Sequence, residues 1–246
     1  MTNSSNSSQE APPILLPDYA LFLDFDGTLA PLQNDPDAVV LSPRCSASLL
    51  SIAKKLSGAL VLISGRDVRD LTIRVPSDLW RAGGHGLDIC RPGEQPKVKT
   101  GNVPSELLSS VRAIANRFQG VRLEEKSRVL AIHYRQNPPA GPMLIREIST
   151  LVKSTENYYF QHGKMVIELK PIGVDKGSAL KMLMQQAPFA GRIPIMVGDD
   201  TTDEDAILAA TDLGGFGIKV GLGASAARYR LEDPAAVWKW LEKEDA

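Results

Sequence analysis

The chain has 246 residues, 43% hydrophobic and 23% charged, an ordinary balance for one large or two ordinary soluble domains. Its formal net charge of -1 argues against broad nucleic-acid binding, which needs a concentrated basic surface. The two cysteines, Cys45 and Cys90, are too few for a disulfide framework and lack metal-ligand spacing, so reduced thiols and a cytoplasmic location are expected.

Met1 to Pro17 is rich in Asn, Ser and Pro, has no apolar core of signal-peptide length, and is expected to be a disordered lead-in. Nothing in the chain approaches the roughly 20 apolar residues of a membrane span, so no membrane partner is expected. The near-continuous apolar run over residues 20 to 25 predicts a buried parallel strand. It ends in Asp24 and Asp26, which point the same way at a strand's carboxyl end. Two carboxylates that close repel, so one is protonated or a cation neutralises them. One could attack phosphorus while its neighbour donates a proton to the leaving oxygen. Alone, the same residues also fit a strand followed by an ordinary Asp-Gly turn at Gly27 and Thr28, the less favoured reading.

Pro43 to Leu56 predicts a helix, with Leu49, Leu50, Ala53 and Leu56 on one stripe, and Ala59 to Ile63 a second buried strand. Ser64-Gly65-Arg66 follows, a hydroxyl and free amides at a strand-to-helix turn that would cradle a phosphate or simply cap a helix. Trp80 to His85 predicts a third strand edge, and Gly83, Gly84 and Gly86 leave the backbone bare around His85. That histidine is a substrate contact or an ordinary loop residue.

The middle of the chain has a different rhythm. Residues 103 to 118 carry Leu107, Val111, Ile114 and Phe118 at helical spacing, followed by alternating segments at 121–126 and 129–135. The pattern repeats with a helix over 142–153 and strands at 158–161 and 164–170, which predicts helices on one face of an antiparallel sheet. The period of two puts Glu124 and Lys126, His133 and Arg135, and Lys164, Glu168 and Lys170 opposite the apolar residues. Such a face is usually solvated, but over a catalytic site it offers paired donors and acceptors to a polyhydroxylated substrate.

After Pro171 the α/β pattern returns. Val174-Asp175-Lys176-Gly177 opens a helix, with Lys176 at the amino end, where phosphate is favoured. Ile193 to Val197 predicts a strand running into Gly198-Asp199-Asp200-Thr-Thr-Asp203-Glu204-Asp205. So many acids would be costly if buried; a hard cation with oxygen ligands resolves that cost, and magnesium suits a site that also binds phosphate. A fifth core strand over 213–220 and a closing helix over 234–243 complete the pattern.

Taken in order, Asp24-Phe-Asp26-Gly-Thr28, Ser64-Gly-Arg66, Lys176 and Gly198-Asp199-Asp200 resemble the four motifs of the haloacid dehalogenase (HAD) superfamily, in its phosphatase and phosphomutase variant. Gly84-His85-Gly86, Glu124-Glu-Lys126, His133-Tyr-Arg135, Gly163-Lys164 to Pro171 and Gly198 to Asp205 make the chain, from about residue 19 to 221, resemble the trehalose-6-phosphate phosphatase family. Val174 and Lys170 depart from the residues common there.

The resemblance implies a Rossmann-like, doubly wound parallel-sheet core over 18–100 and 172–246, with an inserted α+β cap of two helix-hairpin repeats over 101–171. It implies a nucleophile at Asp24, an acid/base at Asp26, phosphate contacts at Ser64 and Lys176, and magnesium at Asp24, Asp26, Asp199 and Asp200. Glu124, Lys126, Arg135, Lys164 and Glu168, with His85 from the core, would hold the sugar phosphate. A monomer with a functional link to a trehalose-6-phosphate synthase is expected.

Overall fold

Apolar runs too uniform to have a wet face become the centre of one sheet. In the computed structural model, which describes residues 10–33, 35–97, 102–126, 128–163 and 165–243, every residue of Tyr19–Leu23 and Leu60–Ile63 is buried. The elements are β1 (Tyr19–Leu23), α1 (Pro43–Lys55), β2 (Leu60–Ile63), α2 (Val68–Arg74), β3 (Trp80–Gly83), β4 (Asp88–Cys90), α3 (Ser105–Ala115), β5 (Arg122–Lys126), β6 (Val129–His133), α4 (Gly141–Lys153), β7 (Tyr158–Gly163), β8 (Val166–Pro171), α5 (Lys176–Leu183), β9 (Ile193–Gly198), α6 (Glu204–Asp212), β10 (Phe216–Val220), β11 (Tyr229–Leu231) and α7 (Pro234–Leu241).

The large sheet has the order β11-β10-β9-β1-β2-β3-β4, parallel throughout except for β4, which runs against β3. From β1 the chain winds outward through β2 and β3 on one side and later returns to build β9, β10 and β11 on the other. The strand order therefore reverses at β1, and in open α/β sheets ligands bind at such a point, here the carboxyl ends of β1, β2 and β9. This is the doubly wound α/β core that the sequence predicts.

The second sheet, β5-β6-β8-β7, is antiparallel. Leu130, Ile132, Ile167 and Leu169 pack against Leu107 and Val111 of α3 and Leu144 and Ile148 of α4, one apolar cluster separate from that of the large sheet. The opposite face carries Glu124 and Glu168 in one cross-strand row, through Glu124 opposite Ala131 and Ala131 opposite Glu168. The row ends on Gln161. The expected alternation thus decides which residues meet the helices.

Several expectations need correction. Residues 10–17 are not a disordered lead-in: Leu15 is 3% exposed within the main core, and the Pro13 carbonyl accepts a hydrogen bond from Trp240 Nε1 at 2.7 Å. Residues 1–9 lie outside the described residues. The third strand stops at Gly83 because His85 takes a left-handed backbone conformation, with φ 58°. The fifth expected strand starts at Phe216, after Gly214 turns with φ 81°. Strands β4 and β11 have three residues each, too few for a period to register. Among the described residues no helix is long and apolar enough to cross a membrane.

Candidate active site

Parallel register places the site residues on one edge. Leu23 pairs with Leu62 on one side and Val197 on the other, so Asp24, Ser64 and Asp199 all follow the last paired residues of adjacent strands. Asp24 is 4% exposed, and its backbone N–H donates to the Val197 carbonyl at 3.0 Å. Lys176, in the first turn of α5, is brought there by Asp175, whose carboxylate caps the helix by accepting from Ser178 N at 2.7 Å. The Lys176 ammonium donates to Asp24 Oδ1 at 2.6 Å and to Asp203 Oδ1 at 2.5 Å. Burial lifts the Asp24 carboxyl well above its ordinary 3.8; Lys176 opposes that rise, and Asp203 and Asp199 add to it. Burial alone would depress Lys176, but Asp203 and Asp24 outweigh it and the ammonium is held in its charged form.

Asp26 is differently placed. Arg66 grips it with two parallel hydrogen bonds, Nε to Oδ2 and Nη2 to Oδ1, both 2.6 Å. Arg66 also donates to Asp70 at 2.7 Å, and Asp70 is held by Arg74 one turn further along α2. Arg74 Nη1 in turn donates to the Val39 carbonyl at 2.6 Å. A ladder of alternating charge thus ties Asp26 to the segment after β1. Ser64 is 1% exposed; its hydroxyl oxygen accepts from Arg66 N at 3.1 Å and its carbonyl accepts from His85 N at 2.9 Å.

Of the acidic turn, Asp199 lies directly over Gly27. A Cβ at Gly27 would come within 2.3 Å of Asp199 Oδ2, and the residue sits at φ 83°, so glycine is required there twice over. Asp199 Oδ1 is buried with no hydrogen-bond partner among the described residues, and carboxylate oxygens of Asp24, Asp199 and Asp203 lie within 4.8 Å of one another. Burial, with Asp203 next, pushes Asp199 up to about 6. An orphaned buried oxygen among crowded carboxylates fits a hard divalent cation. Asp200, expected in that shell, is not part of the cluster: its Oδ1 caps the next turn by accepting from Thr201 N at 2.8 Å. Asp203 takes the inward position instead, because a turn starting at Asp200 brings position i+4 back beside Asp199.

The second sheet overlooks this edge. Glu168 Oε2 lies 2.6 Å from His85 Nε2, with both side chains nearly fully buried. Burial pulls His85 below its ordinary 6.5, while Glu168 opposes that pull. Gln161 donates to Asp205 at 3.0 Å, and Thr201 Oγ1 donates to the His162 carbonyl at 3.0 Å. Glu124 Oε2 is 2.7 Å from His133 Nε2 on the same polar face. Arg135 is exposed just beyond β6 and is not brought against the core. The backbone of Lys126 ends β5, and Lys164 lies outside the described residues.

Sequence reasoning missed three contributors. Asp203 carried a usable signal in its helical offset from Asp199. Arg66 was noticed only as part of a turn. Lys219, the one charge in the run Phe216-Gly-Ile-Lys-Val220, stands out as a lysine inside a buried strand.

A family model for trehalose-phosphatases matches residues 22–235. A trehalose-6-phosphate phosphatase from Escherichia coli (strain K12) is 36% identical over 235 residues, covering 94% of this chain and 88% of that protein. A probable trehalose-phosphate phosphatase from Sinorhizobium fredii is 38% identical over 225 residues, covering 90% and 84%. Among solved structures, the C-terminal domain of the Candida albicans trehalose-6-phosphate phosphatase superposes with a TM-score of 0.82 at 22% identity, covering 92% of this chain and 91% of that one. A haloacid dehalogenase-like hydrolase from Bacteroides thetaiotaomicron shares the fold, with a TM-score of 0.66 at 18% identity over 90% of this chain and 97% of the other. With a family model spanning most of its length and relatives above 30% identity along nearly all of it, the chain belongs to the trehalose-phosphatase family.

Proposed function

We propose that this chain hydrolyses trehalose 6-phosphate to trehalose and phosphate in two steps through a phosphorylated Asp24. The observation that carries this reading is the placement of Asp24 between the Lys176 ammonium at 2.6 Å and the unpaired Asp199 oxygen, with Asp26 two residues further along. In the first step an Asp24 oxygen bonds to phosphorus, the phosphorus–sugar oxygen bond breaks, and Asp26 gives its proton to the departing oxygen. In the second, Asp26 takes a proton from the water that attacks the aspartyl phosphate, which restores Asp24. Lys176 and Ser64 hold the nonbridging oxygens as charge moves onto them. Asp24, the Asp26 carbonyl and Asp199 would hold magnesium, whose charge when bound offsets the repulsion between nucleophile and phosphate.

Both Asp26 oxygens are engaged by Arg66, so Asp26 must turn away from that guanidinium before it can reach a leaving group. Glu124, Arg135 and Glu168, with His85 from the core, would take the sugar hydroxyls and exclude bulk water, a role the family resemblance also gives to Lys126 and Lys164.

Phosphate release across trehalose 6-phosphate, sucrose 6-phosphate and mannosyl-3-phosphoglycerate, with and without magnesium, tests the reading. Trehalose 6-phosphate should lead by at least about 100-fold in kcat/KM, because a site built to hydrogen-bond hydroxyls penalises their misplacement. Asp24→Asn should abolish phosphate release, and normal turnover in that variant would overturn the assignment.

A further inference from the structure

A lysine inside a sheet is costly unless its ammonium finds partners. All five residues of β10 are buried, and Lys219 is 4% exposed. It stands opposite Gly198 in the β9–β10 register, level with the start of the acidic turn. Its Nζ donates to the Asp199 carbonyl at 2.5 Å and lies 3.9 Å from Glu204 Oε1. That glutamate oxygen is buried with no hydrogen-bond partner among the described residues, while Oε2 accepts from Ala226 N at 2.9 Å. One ammonium therefore joins the end of β9, the start of α6 and, through Glu204, the loop after β10.

We propose that Lys219 is a positioning residue for the cation-binding turn. It fixes the peptide of Asp199, so that the carboxylate stays over Gly27 and opposite Asp24, and it sits beneath a turn that holds Asp199, Asp200, Asp203, Glu204 and Asp205. Lys176 meets this turn at the Asp203 carboxylate and bonds Asp24 across from it, whereas Lys219 holds the Asp199 peptide itself. A Val or Ile in β10 would pack as well as its neighbours but would leave the Asp199 carbonyl without this donor. The inference rests on the divalent-cation reading of the site and adds the support on which Asp199 depends.

The test uses the full chain and follows the melting temperature against magnesium concentration for wild type, Lys219→Met, Lys219→Gln and Lys219→Arg. Loss of an outer partner of a metal ligand weakens affinity by about 10- to 100-fold. The magnesium midpoint of Lys219→Met should rise by at least about tenfold on that basis, and Lys219→Arg should bring it back to within about threefold of wild type. Activity should split in the same way, with more magnesium needed for half-maximal rate and kcat at saturating magnesium nearly retained. If the Met variant does not fold, the shorter and neutral Lys219→Gln is decisive, with an expected midpoint shift of at least about threefold. A wild-type midpoint in Lys219→Met, or in Lys219→Gln where Lys219→Met does not fold, would overturn the role of Lys219. A wild-type chain indifferent to magnesium, manganese and calcium would remove the cation reading and this inference together.

Discussion

Two aspartates, with a single residue between them, have different partners. Asp24 is buried beside a lysine, while Asp26 is gripped by an arginine whose planar fork takes both of its oxygens. If Asp26 is acid in one step and base in the next, the leaving group decides how much its loss costs. In Asp26→Asn, steady-state turnover of trehalose 6-phosphate should fall by about 10²- to 10⁴-fold. p-Nitrophenyl phosphate, whose leaving group needs no proton, should still give a burst approaching one equivalent of nitrophenol in rapid mixing. Equal loss of burst and turnover would sink the two-step role. His85 offers a pH test. Its pKa is lowered from 6.5, chiefly by burial, so below about pH 6.5 the folded chain binds fewer protons at this group than the unfolded chain. Its contribution is full above that pH and is lost as pH falls through it. Urea midpoints between about pH 5 and 7 should therefore slope less in His85→Gln than in wild type. An identical slope would remove His85 as the source. Spacing alone suggested Asp24, Asp26 and Asp199, but it could not reveal that Arg66 occupies Asp26 or that Asp200 turns outward to cap, since both depend on side-chain geometry after the turn forms.

Elements rather than residues set the reach of Lys176. The Asp175 cap aims the first turn of α5 at the site by accepting from both the amide and the hydroxyl of Ser178. Asp175→Ala should cost about 1 kcal/mol in chemical denaturation. It should also lower kcat, because the lysine loses its fixed origin; unchanged kcat with lower stability would make the cap purely structural. In the second sheet, Leu144 and Ile148 of α4 are fully buried against the strands. Leu144→Ala should destabilise by about 2–5 kcal/mol, read as a lower urea midpoint. Elements of this kind were legible because their apolar residues recur at 3.6 or 2. The three-residue β4 and β11 were not, and neither was the Leu15 anchor, where one buried leucine in a proline-rich stretch has no periodic neighbour.

At the scale of the whole molecule, two separate apolar clusters are joined by polar contacts that include, among the described residues, Glu168 with His85, Gln161 with Asp205, and the His162 carbonyl with Thr201. Alternation identified the polar face of the second sheet, but pairing with core residues depends on how two layers dock, which no local pattern encodes. Polar contacts of this kind would let the layers part and close without disturbing either core. Trehalose 6-phosphate added to Asp24→Asn should slow amide exchange at least about tenfold across residues 171–176, where the chain re-enters the core, and along β7. Unaltered exchange in both segments at saturating ligand would speak against closure.

The parallel pairing of β1 with β9 also bears on how the chain is born. Strand β1 lies at the centre of the sheet, yet the partner on one side, beginning at Ile193 opposite Tyr19, leaves the ribosome roughly 170 residues later, a delay of about 10–30 s at ordinary synthesis rates. For that interval β1 has an unpaired edge of five apolar residues, and Asp24 next to it lacks the acidic turn that follows β9. Until β9 has been made, the nascent chain is expected to be both sticky and unable to turn over substrate. Truncations that stop short of β9 should aggregate rather than yield a smaller working enzyme.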